Sequence, residues 1–177
     1  MNAITKAPDF TTSFTVDQTP DAVFAAINNV RGWWSEEIDG PTDTPGAVFD
    51  YRFQDVHRCT IKVTELVPGR RVAWHVLENF FSFTGDKSEW KDTDIVFDIV
   101  AHGGKTEVRF THVGLVPDYE CFDVCAEAWG TYINLSLRTL IATGKGQPNA
   151  GEPRTGGEPA LSGRDYTTSF MVERTTR

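Results

Sequence analysis

The chain has 177 residues, 40% of them hydrophobic, with 17 Lys and Arg against 25 Asp and Glu for a net charge of −8. That length suits one domain with an appendage and is enough to bury a real core. The acidic balance lacks the basic footprint that a nucleic-acid partner needs, and no stretch approaches the roughly 20 apolar residues of a membrane span.

Phe10 to Val16 sets Phe10, Thr12, Phe14 and Val16 against Thr11, Ser13 and Thr15, the period of two that marks a strand. Thr19 then offers an N-cap, Pro20 suits the first helical position and Asp21 complements the positive helix end. A short helix is expected from Pro20 to about Asn28, burying Val23, Phe24 and Ile27. Val30 to Ser35 reads as a second short helix or turn, and residues 36–46, with two prolines and two glycines, as loop.

A run of strands follows. Val48 to Phe53 places Phe49, Tyr51 and Phe53 on one face; His57 to Leu66 groups His57, Cys59, Ile61 and Val63; Arg70 to Leu77 groups Val72, Trp74 and Val76. Val67-Pro68-Gly69-Arg70 has the Pro and Gly that a type II turn wants. Thr93 to Ala101 and Lys105 to Val113 form a hairpin around His102-Gly103-Gly104, with Ile95, Phe97 and Ile99 inward on one arm and Val108, Phe110 and His112 on the other. Asp118 to Thr143 is a long helix whose Val124, Cys125, Ala128, Trp129, Tyr132, Leu135, Ser136, Thr139 and Leu140 share one face, and Gly144 stops it.

This order fits an α+β helix-grip fold: a curved antiparallel sheet wraps a long C-terminal helix, two short helices follow the first strand, and a cavity lies between sheet and helix. The chain also resembles the SRPBCC (START-like) superfamily, and within it the branch related to the activator of the heat-shock chaperone ATPase. The residues that carry the resemblance are Phe14-Thr15-Val16-Asp17 running into Thr19-Pro20-Asp21-Ala22-Val23-Phe24, then Val30-Arg31-Gly32-Trp33-Trp34 and Val63-Thr64-Glu65-Leu66-Val67-Pro68-Gly69. Glu89-Trp90, Phe110-Thr111-His112-Val113-Gly114-Leu115 and Trp129-Gly130-Thr131-Tyr132 continue it, over about Phe10 to Gly146. These are mostly packing and turn residues. The superfamily spans lipid carriers, hormone receptors, polyketide cyclases and chaperone regulators, so the resemblance implies a fold and no single activity.

The inward positions supply an aromatic wall of Phe49, Tyr51, Phe53, Trp74, Phe97, Phe110, Trp129 and Tyr132, with His57, His112, Tyr132 and Ser136 as polar groups. Such a lining suits a small apolar or aromatic ligand, bound without cofactor or metal. Two alternatives stand beside it. One is a protein-interaction module regulating a chaperone ATPase, as the resemblance allows. The other is a cyclase- or hydrolase-like enzyme using a cavity histidine as acid or base, against which the sequence has no Ser-His-Asp or Cys-His signature and no paired carboxylates on the inward faces. Cys121 and Cys125, four apart on the helix, with His112, His57 and Cys59, could in principle bind zinc, yet no Cys-x-x-Cys occurs and two buried thiols are the simpler expectation. The cysteine spacing is not that of a disulfide scaffold and residues 1–8 carry no signal-peptide run, so a cytoplasmic location is expected.

The C-terminus holds a repeat. Asp165-Tyr166-Thr167-Thr168-Ser169-Phe170-Met171-Val172-Glu173-Arg174-Thr175 matches Asp9 to Thr19 at seven of eleven positions. Between the copies, residues 144–164 hold six glycines and three prolines. The organisation expected is a helix-grip domain over 9–146, a linker over 147–164 and a partial repeat of the first strand over 165–177. The repeat is either the start of a second domain or a strand that pairs with a sheet edge, giving a homo-oligomer through exchange.

Overall fold

The computed structural model describes residues 8–150. The greater part of the expected linker and the whole C-terminal strand copy lie outside the described residues. Seven strands form one antiparallel sheet: β1 (Phe10–Val16), β2 (Ile38–Asp39), β3 (Val48–Phe53), β4 (His57–Val67), β5 (Arg71–Phe81), β6 (Asp94–His102) and β7 (Lys105–Val113), in the order β1-β7-β6-β5-β4-β3-β2. Helices α1 (Pro20–Asn28) and α2 (Val30–Trp33) follow β1. After β7 the chain runs without a break through α3 (Phe122–Trp129), a π-helical segment (Gly130–Leu137) and α4 (Arg138–Thr143). This is the expected helix-grip α+β architecture.

The local chemistry behaves as the side chains dictate. Thr19 caps α1 by accepting from Ala22 N at 3.2 Å, and Pro20 opens the helix. Gly69, at φ +71°, supplies the left-handed residue of the β4–β5 turn, which closes with Arg70 N donating to Val67 O at 2.9 Å. Gly103 and Gly104 both take positive φ, as a two-residue hairpin turn requires. Register shifts between Thr60 and Ile61 and between Val63 and Glu65 bend β4 against β5, the device by which a sheet curves around a helix.

Several boundaries differ from expectation. Ile38–Asp39 is a short edge strand inside the expected loop, held by pairing with Tyr51 and Asp50. β5 continues four residues past Leu77, where a register shift against β4 moves the buried phase by one residue and turns Asn79 and Phe81 inward. Phe24 is only half-buried. The long helix starts at Phe122, and its middle is π-helical, with i→i+5 bonding. This moves the inward rows to a spacing of four: Trp129, Ile133, Leu137 and Ile141 beside Tyr132, Ser136 and Leu140. Leu135, expected on the inner face, is instead 45% exposed.

The packed chain also extends beyond Gly144. Residues 145–149 form a strap over α2 and the π segment. Gln147 N donates to Ser136 Oγ at 2.7 Å, Asn149 N to Trp34 O at 3.0 Å, and Glu36 N to Asn149 O at 2.8 Å. Asn149 is 1% exposed.

Candidate functional site

Four tryptophans, Trp33, Trp34, Trp74 and Trp129, are the largest fully buried side chains, and they organise the interior into two regions. Toward α1, Trp33 stacks on Trp74 with ring centroids 6.4 Å apart and meets Phe97 edge-on at 5.9 Å, while Phe49 meets Trp74 at 5.3 Å. This region is dry packing. The Trp33 indole is spent on Ile27 O at 3.0 Å.

Toward the N-terminal end of α3, a second group surrounds an enclosed void of about 10 Å³ walled by Trp34, Tyr51, His57, Phe81, Trp90, Cys125, Ala128, Trp129 and Tyr132. That volume holds one water at most. Among the described residues, depressions of about 490 and 370 Å³ are open grooves on the outer surface, the second bordered by Tyr51 and Asn79.

Of the eleven residues expected to line a cavity, Tyr51, His57, Trp129 and Tyr132 wall the void. Phe49, Trp74 and Phe97 sit in the dry region, and Phe53 is buried at the end of β3. Phe110 and His112 back onto Trp129, at 4.6 and 6.0 Å between centroids. Ser136 is engaged elsewhere, donating to Trp33 O at 2.7 Å and accepting from Gln147 N. Trp34, Phe81 and Trp90 are lining residues that periodicity did not select, while Cys125 and Ala128, on the helix face that the period marks, were expected to be inward but not to line a cavity. Trp34 stands at the end of a short helix and Trp90 in a loop, where no repeat assigns a side chain to a face. Phe81 lies beyond the expected end of its strand.

The polar atoms of the site are arranged in three chains. Trp129 Nε1–H donates to His112 Nδ1 at 3.0 Å, which puts the imidazole proton on Nε2, 2.8 Å from Thr93 Oγ1; the Thr93 hydroxyl in turn donates to Trp90 O at 2.6 Å. Both ring nitrogens of His112 are thereby used. Burial, reinforced by the charge that His57 would carry, pushes the His112 pKa down to about 3. His57 pairs its Nε2 with Asn79 Oδ1 at 2.8 Å, while Asn79 Nδ2 donates to Lys87 O at 3.3 Å; burial brings His57 to about 3 as well. In the third chain Asn149 Nδ2 donates to Tyr132 Oη at 2.8 Å and to Tyr51 Oη at 3.4 Å, and burial holds the Tyr51 phenol well above its usual range.

No charged side chain lines the void. The indole N–H groups of Trp74 and Trp90 are buried without an acceptor among the described residues, and Trp90 belongs to the wall of the void; the Trp34 N–H faces the Tyr51 phenol and acts to lower its pKa, against the larger effect of burial. The thiols of Cys59, Cys121 and Cys125 are free and buried, and no group of three or more metal-ligating side chains occurs among the described residues. Among the same residues no helix is long and apolar enough to cross a membrane.

A family model described as "Activator of Hsp90 ATPase homolog 1-like protein" matches residues 17–142. The solution structure of the Aha1 dimer from Colwellia psychrerythraea superposes with a TM-score of 0.64 at 24% identity, over 78% of this chain and 99% of that one. DynU16, described as a putative protein in the dynemicin biosynthetic locus, gives 0.60 at 18% identity, over 82% of this chain and 52% of that one. CalU16 from Micromonospora echinospora gives 0.55 at 15% identity over 93% and 82%. These likenesses show a shared fold. No curated protein sequence matches the chain. The family model spans well over half of the sequence and runs from the end of β1 nearly to the end of α4, and on that ground the chain belongs to the family of Activator of Hsp90 ATPase homolog 1-like proteins.

Proposed function

We propose that this domain binds a small apolar or aromatic molecule, in the cytoplasm, between the sheet and the helix over residues 122–143, and performs no chemistry on it. The observation that carries the reading is the composition of the wall around the void. Aromatic rings converge there from β3, β4, β5, the loop before β6 and the long helix, and the Trp90 indole N–H is left without an acceptor. A buried Trp N–H normally finds a partner, as Trp33 and Trp129 do here, so the Trp90 N–H at the void supports the reading that an acceptor can enter. Catalysis is left out because both nitrogens of His112 are committed and burial makes both interior histidines poor bases.

Native mass spectrometry of protein purified from its own cells should find a co-purifying small molecule, and a neutral fluorescent aromatic probe should bind one to one and be displaced by it. A second reading, a module that regulates a chaperone ATPase, is supported by the family and by how nearly the aromatics fill the interior. If no probe binds while the protein raises ATP turnover by an Hsp90-type chaperone, that reading replaces the first.

A further inference from the structure

The void is one water wide, so a ligand needs room from a wall that can move, and the fold marks which wall that is. β5 pairs with β6 only where Arg71–His75 oppose Asp94–Asp98. Beyond Val76, which is bonded to Asp92 and Thr93, residues Leu77–Phe81 of β5 have β4 on one side and no β6 partner on the other. The sheet is split there, and the loop over residues 82–93 fills the split.

Trp90 is the side chain that the loop sends inside. Its ring lies nearly parallel to Trp129, at 5.5 Å and 9°, and edge-on to His57 and His112, both at 4.6 Å, and to Phe81 at 5.6 Å. It is 3% exposed and its Nε1 has no acceptor. At its base the loop is held by the buried Thr93 hydroxyl on Trp90 O, and its outer part is tied to the start of α3 by polar contacts at or near the surface. Glu89 accepts from Glu120 N at 2.8 Å and from Cys121 N at 3.0 Å, and Glu120 accepts from Gly85 N at 2.8 Å. Water can replace such bonds, and segments held this way open at lower cost than strands whose ladders are complete.

Resting on the ligand-binding reading above, we propose that Trp90 is a removable wall and Glu89 its latch, and that the ligand takes the seat the Trp90 indole now fills. The seat defines the ligand class. It has the face of Trp129 on one side and ring edges of His57 and His112 around it, which suits a flat aromatic molecule of two fused rings. It is bordered by neutral groups, which suits an uncharged one.

The test uses the full chain carrying 5-fluorotryptophan, with the Trp90 fluorine resonance assigned through Trp90→Phe, and 2-naphthol as the probe. On binding, the Trp90 resonance should move to the position of a solvent-exposed indole while those of Trp33, Trp34, Trp74 and Trp129 keep buried shifts. Glu89→Gln should raise the association rate at least tenfold with the protein still folded. Naphthol binding with the Trp90 resonance unmoved and an unchanged rate in Glu89→Gln would overturn the removable wall and leave ligand binding intact. Absence of binding to the wild type, to Glu89→Gln and to Trp90→Ala, in which the seat is opened outright, would overturn both.

Discussion

At the scale of the residue, His112 is the one side chain whose type suggests catalysis and whose surroundings argue for structure. It accepts from Trp129 and faces Thr93, so it ties the helix to the loop that carries Trp90. Replacing it by Phe keeps a ring but leaves the Trp129 N–H unmet, which should cost about 1–3 kcal/mol. The pH dependence should change too. Between pH 6.5 and about 3 the unfolded chain protonates its histidines while His57 and His112, held near 3, refuse the proton. The unfolded state then binds more protons, and stability falls as pH drops through that window, by about 1.4 kcal/mol per pH unit for each group. His75 works in the opposite sense. Its hydrogen bond to Asp94 raises its pKa, giving a contribution present below 6.5 and lost as pH rises through the folded value, but it is partly exposed, its Asp92 and Asp94 partners more so, and the ion pairs are screened. Urea unfolding at pH 7 and pH 4.5 should therefore show about half the wild-type loss in His112→Phe. Equal losses in the two proteins would mean that His112 titrates normally.

At the scale of the element, the strap over residues 145–149 and the π segment work as a pair. The π turn aims Tyr132 and Ser136 inward on one row, Ser136 receives Gln147, and Asn149 serves the phenol oxygens of Tyr132 and Tyr51. A Cβ added at Gly146 would lie 2.4 Å from Gly32 O and 3.0 Å from Ser136 O, so backbone meets backbone there with no room for a side chain. Gly146→Ala should lift the strap, and Asn149→Ala should leave buried hydroxyls without their donor. Each should cost about 1–3 kcal/mol in urea unfolding, against almost nothing for the exposed Lys145→Ala; near-wild-type stability in both would mean that the strap is only draped on the surface. The sequence conveyed the strands well, because one buried face forces alternation: Phe49, Tyr51 and Phe53, or Ile95, Phe97 and Ile99, leave no other reading. It conveyed the strap poorly, since composition does not distinguish a glycine of close approach from a glycine of a linker. The π turn left no trace either. A 3.6 period predicts Leu135 inside, and only the i→i+5 bonding exchanges it for Ile133 and Leu137. Part of the void's wall was illegible for a related reason, in that Trp34 and Trp90 lie where no period operates.

At the scale of the whole molecule, β1 is an edge strand held by β7 on one side only. Its fixings are specific. Asp9 Oδ1 accepts from Gly114 N at 2.9 Å, Thr11 donates to Phe110 O at 2.9 Å, Thr12 accepts from Asn134 Nδ2 at 3.0 Å, Phe14 and Val16 enter the core, and Thr19 caps α1. The C-terminal copy repeats each of these residues, as Asp165, Thr167, Thr168, Phe170, Val172 and Thr175, and keeps a ring at Tyr166 where Phe10 packs edge-on against Phe110. It departs at Thr15 and Asp17, which face solvent, at the partly buried Gln18, replaced by Arg174, and after Thr175, where Thr176 and Arg177 stand in place of the helix-starting Pro20 and Asp21. The strand is copied and the helix start is not, which equips the segment chemically for the place on β7 that β1 occupies. An aspartate at Phe14 puts a charge into the core and disables β1. If the copy can substitute, Phe14→Asp should stay folded at moderate urea concentration, Phe14→Asp with Phe170→Asp should unfold well below it, and Phe170→Asp alone should match the wild type because β1 keeps its seat. Light scattering on Phe14→Asp then tells exchange within one chain, which leaves a monomer, from exchange between two, which gives a dimer. The competition within one chain has the advantage, since the tether keeps the copy at an effective concentration on the order of millimolar. Coincident unfolding of Phe14→Asp and the double variant would show that the copy, for all its likeness, never takes the place of β1.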